Sequence, residues 1–320
     1  MSGPLILAVP SKGRLQQAVM DFFNRAGLRF ERPGGERDYR GHIRGVDGIE
    51  IAYLAASEIA REITAGKVHA GITGEDLIHE AVAEVDTKAL TVTRLGFAHA
   101  RVVVAVPRAW IDVDTMADLD EVASSFRARH GRHLRVATKY VRLTRTFFAR
   151  HDIADYRIVE SLGATEGAPA AGAADAIVDI TTTGSTLAAN ALKVIGDGEI
   201  LASQAALFAS RAAAWTDDTR RALRLLCDRL AAEARARTMR EVRTDHAVPA
   251  ALMIELERKF GVHRPFIAAS GVSVLHVPDD AVFAVVERLR EAGADTVSVS
   301  QLDYVFTSNN PLWQAISGRL

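Results

Sequence analysis

Short apolar runs alternate along this chain with longer stretches that have helical spacing, and this order predicts an α/β fold. A short apolar run bounded by turn residues is typical of a buried strand, and apolar residues three or four positions apart are typical of a helix. The predicted strands are 5–9, 49–54, 89–97, 101–106, 134–137, 156–162, 174–180 and 201–208. Several lead through a Gly-, Ser- or Thr-containing loop into a helix, as strands of a parallel sheet do.

The pattern restarts near Arg240, which predicts a separate C-terminal domain. A long predicted helix at 215–238 precedes it, and strands and helices then alternate to about residue 305. This order is similar to the βαββαβ order of a small ferredoxin-like module. Earlier in the chain, the strands at 89–97 and 101–106 flank a predicted crossover between two lobes.

Composition narrows the class of protein. The 320 residues are 48% hydrophobic and 25% charged, which is ordinary for a globular protein of two or three domains. A formal net charge of −1 argues against nucleic acid as the main partner. The single cysteine, Cys227, excludes an internal disulfide and a clustered thiolate metal site.

Nothing in the apolar runs predicts a membrane protein. No run approaches the ~20 apolar residues of a membrane span, and the first ten residues lack a basic leader. We therefore expect a cytoplasmic protein.

The stretch 173–187 is the most informative part of the sequence. An apolar run ends with Asp179 near its last residue, and a hydroxyl-rich loop then opens a short helix. Backbone N–H groups at a helix start lack helical partners, and Gly184 lets the backbone approach a ligand, so Thr182, Thr183, Ser185 and Thr186 are predicted to surround a phosphate. A carboxylate beside them suits ribose hydroxyls, which indicates a phosphoribosyl site. The alternative, in which these residues merely cap the helix, stays open.

Further candidates lie in three other loops. Lys12 and Arg14 follow the first strand and are placed to meet an anion, although solvated charges at a turn are the alternative. Glu166 precedes Asp179 by thirteen residues, so in a βαβ unit both acids would end neighbouring parallel strands, unless Glu166 is a helix-start acid. Gly74 allows close backbone approach at the end of a strand. The basic run at 127–150 is interpreted mainly as the solvated side of a helix.

Taken together, these motifs resemble those of ATP phosphoribosyltransferase in its long form. The matching segments, in chain order, are SKGRL (11–15), GITGED (71–76), LGF (95–97), GATEGAP (163–169), DAIVDI (175–180) and TGSTLAAN (183–190). The resemblance implies a two-lobed catalytic core like that of periplasmic binding proteins and a C-terminal ferredoxin-like (ACT-like) regulatory domain. It places lobe I at 1–98 and 205–238, lobe II at 99–204 and the regulatory domain at 239–320.

The resemblance also implies a pentosyl transfer in histidine biosynthesis. N1 of ATP would attack C1 of 5-phosphoribosyl 1-pyrophosphate with Mg²⁺ as cofactor, giving phosphoribosyl-ATP and pyrophosphate under feedback inhibition by histidine. Lys12 and Arg14 would bind the negatively charged polyphosphate groups. Asp179 and Glu166 would bind the ribose hydroxyls or belong to the Mg²⁺ shell. Residues 182–186, including Gly184, would hold the 5′-phosphate, with Thr73 and Gly74 as further substrate contacts. A homo-oligomer, either a dimer or a hexamer, is expected.

Two other functions stay open on the sequence. One is a phosphoribosyltransferase for a nucleobase, although its usual loop carries two adjacent acids, whereas here Asp175 lies four residues before Asp179. The other is a two-lobed sensor or solute-binding protein, against which the absence of a leader peptide argues.

Overall fold

The computed structural model describes residues 3–35, 38–161, 163–266 and 271–320. These residues form two compact units. The first unit comprises residues 1–20, 30–219 and 319–320, and the second unit comprises residues 21–29 and 220–318. The predicted limits of the two lobes and of the regulatory domain stay a prediction.

The first unit contains a seven-stranded sheet built around a fully buried strand. Leu5, Leu7 and Ala8 of that strand are inaccessible to solvent, and β1 is paired on both edges, with β4 and with β5. The strands of this sheet are β1 (Leu5–Pro10), β2 (Phe30–Glu31), β3 (Arg40–Ile43), β4 (Val46–Leu54), β5 (Ala70–Gly74), β6 (Ala89–Arg94) and β12 (Ala205–Ser210). Their spatial order is β2-β3-β4-β1-β5-β12-β6, with β1 parallel to β4 and β5. The associated helices are α1 (Gly13–Arg25), α2 (Ala56–Thr64), α3 (Glu75–Ala81) and α4 (Val85–Lys88).

The same unit contains a five-stranded sheet, formed by the middle of the chain. Its strands are β7 (Ala100–Pro107), β8 (Leu134–Thr138), β9 (Tyr156–Glu160), β10 (Ala176–Thr181) and β11 (Leu192–Ser203). They follow the spatial order β11-β7-β10-β8-β9. Its helices are α5 (Met116–His130), α6 (Val141–Arg150) and α7 (Ser185–Ala189). Strands β8, β9 and β10 run parallel, so their carboxyl ends meet at one edge of the sheet.

Two neighbouring crossovers join the sheets. The first connects β6 to β7, as the sequence predicts, and the second is the single residue Gln204 between β11 and β12. Backbone hydrogen bonds tie the two together, since Ala205 donates to the Phe97 carbonyl at 3.1 Å and Leu95 donates to the Ala205 carbonyl at 2.9 Å. The backbone therefore passes between the sheets as a hydrogen-bonded pair of strands.

Two predicted elements differ from the structure. The predicted strand at 201–208 is two strands in different sheets, and β11 begins already at Leu192, where Gly196 and Gly198 hid its apolar pattern. The helix expected before β10 is only a 3₁₀ turn, Thr165–Gly167, followed by turns. Pro and Gly residues in this segment disfavour a longer helix.

The arrangement predicted for Glu166 also needs correction. The sequence places Glu166 and Asp179 at the ends of neighbouring strands, but β8 lies between β9 and β10. Glu166 and Asp179 still lie at the same edge of the sheet, because β8, β9 and β10 are all parallel.

The second unit contains a three-stranded antiparallel sheet in its described residues, with the order β14-β13-β15. Its elements are α8 (Asp217–Arg237, which begins in the first unit), β13 (Met239–Thr244), α9 (Ala250–Phe260), β14 (Ser273–Pro278), a 3₁₀ turn (Asp279–Ala281), α10 (Val282–Glu291), β15 (Val297–Gln301) and α11 (Pro311–Ser317). Val242, Leu256, Leu275 and Leu289 form its core. A ferredoxin-like module has four strands, so the ferredoxin-like assignment stays a prediction.

Helices of bilayer-crossing length and hydrophobicity were not found in the described part of the chain.

Candidate functional site

A cavity of about 620 Å³ lies at the carboxyl ends of the parallel strands β8, β9 and β10. Its walls come from five separate segments of the chain. The lining residues are Arg14, Ala100, Lys139, Glu166, Asp179, Ile180, Thr181, Thr182, Thr183, Ser185, Thr186 and Leu187. Ligands of open α/β sheets bind at such an edge, so this cavity is the candidate active site.

Residues 182–186, which are the loop after β10 and the first two residues of α7, form one wall and are hereafter the threonine loop. Gly184 has a left-handed backbone with φ of 78° and is the residue before the first turn of α7. Its N–H donates to the Thr181 hydroxyl at 2.9 Å, and the hydroxyls of Thr183 and Ser185 lie 2.9 Å apart. The Thr182 hydroxyl donates to the His99 carbonyl at 3.3 Å. These contacts fix a tight turn whose exposed residues line the cavity, as a phosphate site requires.

Asp179 lies on β10, is half-buried and lines the cavity. Its carboxylate accepts a hydrogen bond from the Ile180 N–H at 2.8 Å. Burial raises its pKa above the ordinary value of 3.8, and the nearby charge of Glu166 adds to that rise, while the Ile180 hydrogen bond and Lys139 oppose it. Asp179 therefore carries its charge at a free-energy cost, which a ligand with hydroxyl donors would reduce.

Lys139 is a cavity residue that the sequence interpretation missed. It follows the last residue of β8, and Thr138 pairs with Val178 of the parallel strand β10, so Lys139 and Asp179 continue the same register. Lys139 lies two residues after the end of the predicted strand 134–137, which could have pointed to it, but it was hidden in the dense basic run 127–150. Glu166, on the 3₁₀ turn after β9, and Arg14, in α1, complete the charged lining.

The structure does not bring every predicted residue to the cavity wall. Lys12 is exposed beside Gly13, the first residue of α1, but does not line the cavity. Thr73 is fully buried and donates its hydroxyl hydrogen to the Ala56 carbonyl at 2.7 Å. Gly74 precedes α3, where an added Cβ would collide with the Asp76 carboxylate. Their predicted substrate contacts stay predictions.

A buried polar network links the two sheets near the cavity. The Tyr140 hydroxyl donates to one carboxylate oxygen of Asp76 at 2.6 Å, and the Ser203 hydroxyl donates to the other at 2.8 Å. Burial, followed by the Asp76 charge, raises the pKa of Tyr140 strongly, so the phenol stays a donor. Tyr140 directly follows Lys139, so this network fixes the backbone next to a cavity residue.

Asp175 lies outside this cavity. It accepts hydrogen bonds from Arg132 at 2.6 Å and from Arg135 at 3.1 Å. Although burial opposes its ionisation, these arginines outweigh burial and hold its pKa well below the usual range. Because Asp175 is already paired, it does not supply the second loop acid that nucleobase phosphoribosyltransferases carry.

The carboxylates suit a weakly held divalent cation better than a closed metal centre. Within the described ranges no three His, Cys, Asp or Glu side chains come together as a metal-binding group. Glu166 and Asp179 nevertheless face one cavity. Mg²⁺ is commonly bound by one or two carboxylates, with waters and substrate phosphates as the other ligands, and this pair fits that pattern.

Comparison with known proteins gives a consistent result. The family model of ATP phosphoribosyltransferase matches residues 55–232, which is more than half of the chain. The ATP phosphoribosyltransferase of Rhodopseudomonas palustris (strain HaA2) is 56% identical, and the alignment covers 100% of this chain and 99% of that protein. The ATP phosphoribosyltransferase of Bradyrhizobium sp. (strain ORS 278) has the same identity and the same coverage.

A solved structure extends the likeness to the fold. The structure described as the ATP phosphoribosyl transferase (HisG:HisZ) complex from Thermotoga maritima aligns with a TM-score of 0.52. The alignment covers 71% of this chain and 96% of that chain, at 24% identity. The two proteins therefore share a mixed α/β fold, and from its sequence relatives this chain belongs to the ATP phosphoribosyltransferase family.

Proposed function

We propose that this protein catalyses the first step of histidine biosynthesis, the transfer of a 5-phosphoribosyl group from its 1-pyrophosphate to N1 of ATP. The observation that carries the proposal is the placement of the threonine loop beside Asp179 in one cavity. The loop suits a terminal phosphate, and the acid suits the hydroxyls of the sugar that bears it. Membership of the family supplies the reaction.

Each end of the sugar phosphate has its own part of the cavity in this proposal. The hydroxyls of Thr182, Thr183, Ser185 and Thr186, with the backbone at Gly184, hold the 5′-phosphate. Asp179 accepts hydrogen bonds from the ribose hydroxyls, and Glu166 lines the same cavity. Arg14 meets polyphosphate charge, and Lys12, next to α1, is placed to join it from outside the described lining.

The chemistry does not require a protein nucleophile. The bond between C1 and the pyrophosphate oxygen breaks while N1 of the adenine forms a bond to C1, so positive charge develops on the ribose. The protein positions two anionic substrates and stabilises that charge distribution, effects that can supply much of the acceleration. Asp179, placed next to the ring, stabilises its developing positive charge.

Mg²⁺ is proposed as the cofactor, with Glu166 and Asp179 as its protein contacts. It would offset the negative charge of the pyrophosphate. The carboxylates also orient the ribose hydroxyls, so their side chains are needed whether or not they contact the cation.

The test is a direct assay of the reaction. Purified protein with ATP, phosphoribosyl pyrophosphate and Mg²⁺ should form phosphoribosyl-ATP, seen as a near-ultraviolet absorbance rise that is matched by pyrophosphate release. Product with a free nucleobase but none with ATP would overturn the proposal. The substrates are those of a cytoplasmic biosynthetic enzyme, so we place the protein there.

We further propose that segment 239–320 is an ACT-like regulatory domain through which histidine inhibits the enzyme. In the second unit a cavity of about 540 Å³ supports this. Its lining includes the carboxylate of Glu241 and the rings of Phe266 and Tyr304. A carboxylate suits the ammonium group of an amino acid, and aromatic rings suit an imidazole.

A homo-oligomer, dimer or hexamer, is also proposed. Large apolar side chains of the second unit are exposed, including Phe283 at 84% and Phe306 at 62%. Exposed rings of this kind are characteristic of surfaces that bind another protein chain. Light scattering of the purified protein would measure the assembly, and a monomer at micromolar concentration would contradict the proposal.

A further inference from the structure

The position of Lys139 suggests a specific task in the reaction. Thr138 and Val178 are paired across the parallel strands β8 and β10, and Lys139 and Asp179 are the next residues in this register. Neighbouring strands lie about 4.8 Å apart, and residues in parallel register face the same side of the sheet. Both residues line the cavity, so an ammonium group and a carboxylate are presented side by side to a ligand.

The structure of the sugar phosphate indicates where Lys139 and Asp179 lie relative to C1, the carbon at which the reaction occurs. In the proposed function the threonine loop holds the 5′-phosphate and Asp179 the ring hydroxyls. The pyrophosphate is attached at C1, next to the 2-hydroxyl and at the far end of the ring from the 5′-phosphate. A cation beside the hydroxyl-binding acid is therefore within reach of the pyrophosphate.

The charges of the cavity support the same conclusion. The lining contains two carboxylates, Glu166 and Asp179, and two cations, Arg14 and Lys139. A pyrophosphate added beside the acids is repelled unless a cation is close. Lys139 is exposed, and its ammonium group lies 5.0 Å from the centroid of the Tyr140 ring, so its flexible side chain can move to a ligand with the loss of that one ring contact.

We propose that Lys139 binds the pyrophosphate of the phosphoribosyl donor and stabilises it as it leaves, an inference that rests on the proposed function. The C1–O bond breaks with its electron pair on the pyrophosphate, so negative charge on that group rises in the transition state. Lys139 transfers no proton in this step and provides a charge-assisted hydrogen bond that strengthens at that point.

The backbone next to Lys139 is suited to this task. The Tyr140 N–H donates to the Thr138 hydroxyl at 2.8 Å, and the Tyr140 hydroxyl donates to buried Asp76 at 2.6 Å. These contacts hold the residues on both sides of Lys139. The flexible side chain thus extends from a fixed backbone position, which lowers the entropic cost of ligand binding.

The experiment separates the two ends of the substrate. For the wild type and for Lys139→Met, inhibition constants are measured for inorganic pyrophosphate and for ribose 5-phosphate, together with kcat and KM for both substrates. We expect pyrophosphate binding to weaken by about tenfold and kcat to fall, as for loss of one charge-assisted hydrogen bond. Ribose 5-phosphate, which lacks the pyrophosphate, should bind within about twofold of wild type by the same reasoning.

Two variants serve as controls. Lys139→Arg keeps the charge and should retain much of the pyrophosphate affinity. Lys259→Met removes an exposed lysine that lies over a neighbouring ring, 5.1 Å from its centroid, as Lys139 lies 5.0 Å from that of Tyr140. It is not a lining residue of the cavity, so its loss should leave every constant unchanged.

The outcomes are distinguishable. An unchanged inhibition constant for pyrophosphate in Lys139→Met, or an equal loss for ribose 5-phosphate, would overturn the role of Lys139. If the wild type formed no phosphoribosyl-ATP, the proposed function itself would fail. Calorimetric binding of pyrophosphate would then still show whether Lys139 binds this anion.

Discussion

Asp179 shows how a single residue of this chain is adapted to bind rather than to stabilise. Burial raises its pKa, and the nearby Glu166 carboxylate adds to the rise. An acid whose pKa is raised in the folded state stabilises that state only at low pH, and its contribution is lost as pH rises through that pKa. At neutral pH the ionised carboxylate therefore destabilises the empty protein, and a ligand with hydroxyl donors would offset that cost.

Replacing Asp179 with asparagine should separate stability from activity. We expect kcat/KM for phosphoribosyl pyrophosphate to fall about 10- to 100-fold, the range for loss of hydrogen bonds to a charged acceptor. The Tm at pH 7 should stay equal or rise, because the substitution removes a buried charge and keeps the oxygen that accepts the Ile180 hydrogen bond. Steady-state kinetics and calorimetry measure the two effects, and a large drop in Tm would assign Asp179 a structural role.

The raised pKa of Asp179 also predicts a pH dependence. The ionised form accepts the ribose hydroxyls, so kcat/KM for the sugar donor should decline as pH falls through that pKa. The decline should begin above the range of an ordinary aspartate, whose pKa is 3.8. A pH profile of wild type and Asp179→Asn checks this, because the variant should lack this acidic limb. If kcat/KM declined over the same acidic pH range in both proteins, the decline would be due to a group other than Asp179.

At the scale of the element, the threonine loop combines residues that shape it with residues that face the ligand. Thr181 is buried, and its hydroxyl accepts the Gly184 N–H at 2.9 Å. Thr186 is exposed on the first turn of α7 and lines the cavity. Thr181 therefore stabilises the turn, whereas Thr186, five residues later, is free of that structural role and lines the cavity.

Valine at each position should reveal this difference. Thr181→Val leaves the Gly184 N–H without its acceptor, so the free energy of unfolding should fall by about 1–3 kcal/mol and sugar-phosphate affinity should fall with it. Thr186→Val should keep the free energy of unfolding within about 0.5 kcal/mol, as exposed substitutions usually do, while KM for the sugar donor rises several-fold. Urea unfolding and kinetics of both variants provide the measurement. Equal loss of stability in both would mean that the loop is only structural.

The elements that the sequence predicted best are those encoded by local pattern. The apolar runs of β1, β4 and β10 predicted buried strands, and these strands are buried in the structure. The threonine loop and Asp179 were found from their order along the chain. Lys139 was missed because its role depends on the pairing of Thr138 with Val178, forty residues apart. The hydroxyl of Thr73 is committed to Ala56, a partner that spacing does not reveal. The sequence predicted features that depend on neighbouring residues, but it did not predict strand register or hydrogen-bond partners far apart in the chain.

At the scale of the whole molecule, the second unit has its own core and its own cavity. In that cavity Glu241 lies opposite His276 across β13 and β14. Burial lowers the pKa of His276, while Glu241 raises it and His263 lowers it further. The Glu241 carboxylate also accepts a hydrogen bond from Arg243 at 2.6 Å, so an incoming ammonium group would share this carboxylate with Arg243.

Histidine inhibition should therefore depend on Glu241 in the full-length protein. Wild-type activity should fall on titration with free histidine, and Glu241→Gln should require at least about tenfold more histidine because one charge-assisted contact is lost. Glu287→Gln, which removes an exposed acid of α10 outside that cavity, is the matched control and should respond as wild type. Uninhibited kcat and KM should match in all three, since Glu241 lies outside the lining of the active-site cavity. A wild type insensitive to histidine would refute feedback through this unit, and equal sensitivity of Glu241→Gln would place the effector elsewhere.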